Sequence, residues 1–332
     1  MFKIGDYVVR KSYGKDILFR IENILPNNIA VLLGVSFRIA ADAPLDDLER
    51  AEGMRYTKRE DSTMVTVENN VKVILAKRNE YAKTKMRMFE KPGTVLHLDG
   101  DAFYLELCMK YYEKLGIEAV GKHIVESEQP KRIKALIEKY NPSILVITGH
   151  DSLNKNYKDI SDIREYKNSK YYIETVIQAR TIRPHPGALV IFAGACQSDF
   201  EALLEAGADF AASPSRVLIH ALDPVFIVER IAYHPFYEVL GIEEVLKFTI
   251  TGLKGLGGYE TQGKCRRGGP MVLKEEKVVK AEDTEIEVGE IKVKVQEIKA
   301  EEIEVEKTKE QGIITADNAR KSTRPYVLQW YL

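Results

Sequence analysis

The chain reads as an α/β protein in which a mostly parallel sheet flanked by helices follows a smaller β-rich domain. Three observations predict this. Residues 144–148 (ILVIT) and 188–195 (ALVIFAGA) are short continuous apolar runs, the pattern of parallel strands covered on both faces. Helical segments alternate with such runs through the middle of the chain, which calls for a doubly wound sheet with right-handed crossovers. The first 57 residues alternate β-branched and aromatic residues between turn signals.

In order, strands are expected over Tyr7 to Arg10, Ile17 to Ile24, Ile29 to Leu33 and Val35 to Ile39, with turns at 13–16 and 26–28. This spacing suggests a small SH3-like or Tudor-like β-barrel over residues 1–57. Eight Lys or Arg stand against eight Asp or Glu there, so the barrel lacks the basic footprint of a nucleic-acid module. It reads as a targeting or substrate-docking domain, or as a structural cap. Residues 58–92 read as a helical linker: Glu68 to Glu90 avoids Gly and Pro, and Pro92 and Gly93 end it. Over 93–260, strands are expected at 94–98, 117–124, 144–148, 188–195 and 210–212, and helices at about 102–115, 129–140, 170–181, 199–206 and 223–232. Residues 261–332 open with a glycine-rich, flexible loop around Lys264, Arg266 and Arg267. Residues 282–306 then alternate charged residues with Ile or Val, a period of two that favours a hairpin, with a disordered tail as the competing reading.

Composition bounds the rest. A length of 332 residues suits two domains, and 45% hydrophobic with 30% charged residues is ordinary for a soluble globular protein. A net charge of −1 sets up no general field toward nucleic acid or membrane. Cysteines 108, 196 and 265 are too few and too scattered for a disulfide framework, which favours a reducing cytosolic origin. No CxxC, HExxH or P-loop pattern occurs, so neither metal nor cofactor is expected. The N-terminus lacks a signal-peptide core and no run reaches 18 apolar residues, so the chain is expected neither to be exported by a simple signal nor to span a membrane.

Chemistry concentrates at the ends of the two apolar runs. The first ends in Gly149 and His150, the second in Gly194, Ala195 and Cys196. Ligands of open α/β sheets bind at the carboxyl ends of the strands, and the small residues let a substrate backbone approach. A cysteine with a distant histidine is the minimum for thiol catalysis. The alternative is that Cys196 is a small buried hydrophobe and His150 a satisfied polar residue. His97, His123, His185 and His234 read as structural; His220, 24 residues beyond the cysteine (220 − 196), is the rival base.

The strand ends "ITGHDS" and "FAGACQS" resemble those of the caspase, gingipain, legumain and separase group of cysteine peptidases, whose His and Cys close adjacent parallel strands. The spacing here is 46 residues (196 − 150), near the roughly 50 of caspases. More of the chain, including "GVSFRIAADAPLDDL", "TGHDSLNKN" and "FAGACQSDFEALLEAGADFAASPSRVLIHALDP", is similar to the sporulation-specific YabG peptidase family of spore-forming bacteria. The resemblance covers most of residues 1–260. It implies a caspase-like sheet, a Cys196/His150 dyad working through a thioester, and oxyanion donors from the amide of Cys196 and one in the Gly149 to Asp151 segment. The wider group commonly has Gly after the His; this chain has Asp151. The resemblance further implies processing of spore-coat and related spore proteins in the mother cell, with Asp99 and Asp101 at the end of the first strand as substrate-binding acids that select arginine. Asp199 is a weaker acid candidate, and self-cleavage near Arg267 is a further expectation. A Cys-dependent amidase and a catalytically silent spore-coat assembly scaffold are the alternatives.

Overall fold

Alternation of apolar and polar residues builds the first sheet of the computed structural model, which describes residues 1–51, 58–84, 89–154 and 157–269. Strands β1 (Tyr7–Arg10), β2 (Leu18–Ile24), β3 (Ile29–Gly34), β4 (Ala40–Pro44) and β5 (Leu48–Arg50) form an antiparallel sheet in the order β4-β3-β2-β1-β5. Its inward residues Val8, Phe19, Ile21 and Leu32 are fully buried. The expected strand over Val35 to Ile39 does not form. The fourth strand begins five residues later (40 − 35), at Ala40, because Phe37 and Arg38 leave this sheet for partners elsewhere in the chain.

Helix α1 (Lys58–Thr84) starts ten residues before the expected Glu68. Burial accompanies the extension: Val67, with Met64 packed against it, joins Val71 and Ile74 in one core with residues of the α/β sheet and the helices packed on it. After β6 (Phe89–Lys91) come β7 (Val95–Asp99), α2 (Ala102–Lys114), β8 (Ala119–His123), α3 (Gln129–Tyr140), β9 (Ile144–Thr148), α4 (Ser169–Ile182), β10 (Val190–Ala193), α5 (Phe200–Glu205), β11 (Phe210–Ala212), α6 (Asp223–Tyr233), β12 (Val239–Leu240), α7 (Ile242–Leu246) and β13 (Leu256–Gly258).

Six of these strands form one sheet in the order β13-β11-β10-β9-β7-β8. All its pairings are parallel except that of β13 with β11, so the sheet is mixed and mostly parallel, as the α/β pattern predicts. Side-chain alternation along its strands feeds two cores. Val146, Val190, Phe192 and Phe210 join residues of α2 and α6 on one face. Leu145, Ile147, Ile191 and Ala193 join residues of α3 and α4 on the other. Double coverage is why these strands are continuously apolar.

The described residues up to Arg267, apart from Phe89, belong to one compact unit. The glycine-rich stretch is not a free loop where described: it contains short strands at Thr261–Gln262 and Arg266–Gly268. The expected hairpin over 282–306 lies outside the described residues. No helix among the described residues is long and apolar enough to cross a membrane, and they contain no cluster suited to a metal ion.

Candidate active site

The parallel register of β9 and β10 brings the two candidate residues to one edge of the sheet. Ile147 pairs with Ala193, and His150 and Cys196 each follow their member of that pair by three residues. On the other side of β9, Asp99 pairs with Thr148, so the end of β7 meets the same edge. Cys196 belongs to the core shared with α2, whose first turn follows Asp101.

His150 is held at its backbone. Its N–H donates to Glu126 Oε1 at 2.8 Å, and its carbonyl accepts from Asn168 Nδ2 at 2.8 Å and Tyr172 Oη at 2.9 Å. A Cβ on Gly149 would lie 2.3 Å from Glu126 Oε1 and 2.8 Å from Tyr172 Oη, so a larger residue before the histidine would displace two of the groups that hold its backbone. On the imidazole, Nε2 lies 2.8 Å from Asp101 Oδ2, and Nδ1 has no partner among the described residues. With the carboxylate accepting, the proton sits on Nε2 and Nδ1 keeps its lone pair. Burial alone would raise the Asp101 carboxyl, but the hydrogen bond and charge of His150 outweigh it and lower it. The other Asp101 oxygen caps α2, accepting from the N–H groups of Phe103 at 2.8 Å and Tyr104 at 3.3 Å.

Cys196 is 2% exposed. Its Sγ accepts the Ile219 N–H at 3.2 Å, and burial pushes the thiol up to about 12, so it is protonated in this form. No hydrogen bond joins it to His150 among the described residues; Tyr104 stands beside the imidazole. The Tyr104 ring centroid is 5.6 Å from that of His150, and burial raises its hydroxyl well above the usual range. The preceding Gly194 has φ +104°, and a Cβ there would meet Leu203 Cδ1 at 2.8 Å. The turn then places Gln197 at φ +60°, with its N–H on Ser213 Oγ at 3.0 Å.

Asp151, where the wider group has glycine, ties the histidine loop to the cysteine loop. Its Oδ2 accepts from Ser169 Oγ at 2.5 Å and Ser198 Oγ at 2.9 Å, and Ser198 Oγ in turn accepts the Ala195 N–H at 2.9 Å. Its Oδ1 accepts the N–H groups of Ser152 at 2.9 Å and Asn168 at 2.7 Å. Burial raises this carboxyl despite those donors. The amides of Gly149, Asp151 and Cys196 make no hydrogen bond to another residue among the described residues, whereas that of His150 is taken by Glu126.

The two other acids differ from one another. Asp99 is fully buried, with Oδ2 at 2.8 Å from Arg38 Nη2 and 2.9 Å from Thr148 Oγ1. Burial works against its charge, but Arg38 and His97 hold the carboxyl well below the usual range. Asp199 caps α5, accepting from the Ala202 N–H at 3.3 Å, and lies 3.6 Å from Arg216. His220 is enclosed; Nδ1 accepts the Leu222 N–H at 3.2 Å, and burial with Arg38 nearby brings it down to about 3, so it is neutral. Arg267 is held by Glu90 at 2.8 Å and over the Tyr81 ring at 4.5 Å. Arg38, Tyr104 and Ile219 escaped the sequence reading. The one local signal was an arginine within the mostly apolar VSFRI, where a buried acid could receive it.

No solved structure matches the chain. The sporulation-specific protease YabG of Bacillus subtilis (strain 168) is 46% identical over 284 residues, covering 81% of this chain and 98% of that protein. Residues 3–270 match the family described as YabG peptidase U57, a span that includes every candidate site residue above, and the chain therefore belongs to the YabG family of sporulation peptidases.

Proposed function

We propose that the protein is a cysteine endopeptidase that processes spore-coat and related spore proteins in the mother cell and coat during sporulation, cleaving after arginine. The observation that carries this reading is the Ile147 to Ala193 register, from which His150 and Cys196 follow at equal distance along neighbouring strands. His150 Nδ1, with Nε2 held by Asp101, takes the thiol proton of Cys196. The thiolate attacks the scissile carbonyl, and the amides of Cys196 and of Gly149 or Asp151 receive the oxyanion; removing one such donor typically costs about 10² to 10³ in rate. Protonated His150 delivers its proton to the leaving amine as the C–N bond breaks, which leaves a thioester. Water, deprotonated by the same nitrogen, then releases the acid and restores the thiol.

Asp99 supports selection of arginine because it already receives a guanidinium in this fold, in a charge-assisted contact of a kind that a lysine ammonium copies poorly. Asp101 serves the reaction through His150. The test is hydrolysis of fluorogenic peptides varied at the residue before the cleaved bond by wild type, Cys196→Ala and His150→Ala. Both variants should be inactive yet folded, iodoacetamide labelling of wild type should track loss of activity, and chelators should have no effect. A folded Cys196→Ala that still cleaves would sink the assignment.

A further inference from the structure

The loop between β3 and β4 leaves its own sheet and pairs with a distant part of the chain. Phe37 makes an isolated antiparallel bridge with His220. Two backbone hydrogen bonds flank it: Arg38 N–H donates to the Ile219 carbonyl at 3.2 Å, and Ala221 N–H donates to the Ser36 carbonyl at 2.8 Å. This is strand addition, in which main-chain bonds hold an extended segment and side-chain pockets select it. The receiving edge also holds the thiol, because the Ile219 whose carbonyl accepts Arg38 donates its N–H to Cys196 Sγ.

The side chain of Arg38 fills the position beside Asp99. The residue is 1% exposed, its Nη2 lies 2.8 Å from Asp99 Oδ2, and the guanidinium carbon sits 4.9 Å from the Tyr104 ring centroid. Nε and Nη1 have no partner among the described residues. Buried donors left unpaired are rare and costly in a permanent framework, and a half-satisfied guanidinium suits an occupant that gives way to a better one. Tyr104 Oη contacts the carbonyls of Gly34 at 2.6 Å and Phe37 at 2.7 Å, fixing the loop from the α2 side.

We propose that Ser36, Phe37 and Arg38 are a resident substrate mimic, lying where the substrate strand lies and placing Arg38 where the substrate's arginine enters, so that the enzyme stays latent until an arginine-bearing polypeptide displaces the loop. This rests on the arginine-directed thiol reading given above and concerns the regulation of that site. The loop persists uncut because it closes on itself around Arg38: Ile39 N–H donates to the Phe37 carbonyl and Gly34 N–H to the Ile39 carbonyl, each at 2.8 Å. The bond after Arg38 is thereby held in a turn and not presented as an extended strand.

The experiment uses the full chain and follows iodoacetamide alkylation of Cys196 by peptide mass in wild type, Arg38→Ala and Phe37→Ala, with buried Cys265 as the control for folding. Arg38→Ala should label Cys196 at least tenfold faster and Phe37→Ala severalfold faster, with Cys265 unchanged. Equal Cys196 rates in folded variants overturn the proposal. If Arg38→Ala fails to fold, hydrogen exchange on full-length Cys196→Ala decides: an arginine-ended peptide should speed exchange at residues 36–38 and an aspartate-ended one should not, and unchanged exchange overturns the idea. A product ending at Arg38 also overturns it, since the loop would then be a substrate. Labelling and exchange need no turnover, so they separate a failure of this proposal from residual activity in Cys196→Ala, which would instead remove the thiol assignment.

Discussion

Asp101 Oδ2 accepts the Nε2 proton of His150 at 2.8 Å while Asp101 Oδ1 caps α2, so one carboxylate fixes both the imidazole and the helix that carries Tyr104. Asparagine is also a good N-cap, so Asp101→Asn should keep the helix and lose the charge behind the imidazole. The expected result is a fall in kcat on the order of 10²-fold or more, with KM little changed and thermal stability nearly that of wild type. An unchanged kcat would show that His150 needs no acid behind it.

Asp99→Asn should act differently. Breaking a buried ion pair on one side typically costs about 3–5 kcal/mol, because Arg38 would be left charged at 1% exposure. The variant should therefore unfold at clearly lower denaturant. Its kcat/KM ratio for arginine over lysine peptides should fall severalfold, while Asp101→Asn leaves that ratio alone. Arginine, lysine, asparagine and aspartate substrates compared on both variants provide the check, and a wild-type preference for an acidic residue would remove the pocket.

Asp223 gives a pH dependence with a defined sign. It accepts the N–H groups of Ile250 at 2.6 Å and His220 at 3.1 Å, yet burial raises its carboxyl from 3.8 to about 6. The folded chain thus holds this proton more tightly than the unfolded chain does, and the stability contributed by the group falls as pH rises from about 4 to about 6. Asp223→Asn should gain on wild type across that window by up to about 3 kcal/mol. Urea midpoints at about pH 4 and pH 7 measure the difference; an equal offset at both would refute it.

Self-cleavage near Arg267 should be visible by mass. Arg267 is anchored by Glu90 and Tyr81, so cutting should be slow, and faster in Glu90→Gln. Purified wild type and Cys196→Ala should diverge after long incubation by a fragment ending near Arg267. Identical intact masses would count against it.

Strands β7 to β11 and helices α2 to α6 were legible because each is an apolar or strongly punctuated run, whereas β13, a Leu-Gly-Gly segment, carries no such signal. The segment 210–212, for instance, forms a strand over the residues that its pattern predicts. Residues 35–39 were not, since β-branched and aromatic composition cannot tell a strand that pairs with its neighbour from one that pairs 183 residues away (220 − 37). The same limit applied to the site. His150 and Cys196 stand at visible run ends, but the partner of Arg38 is set by tertiary packing and leaves no local period. Asp99 and Asp101 are two residues apart and look equivalent in sequence; the twist of the chain at the end of β7 turns one into the core and the other toward the imidazole.

His150 and Cys196 hang from β9 and β10, which have a strand on either side. Interior strands open only when the whole domain does, whereas the edges fray first. Catalytic competence should then vanish in the same cooperative step as the fold, without an earlier loss from local melting. Survival of the fold and survival of activity then become a single event.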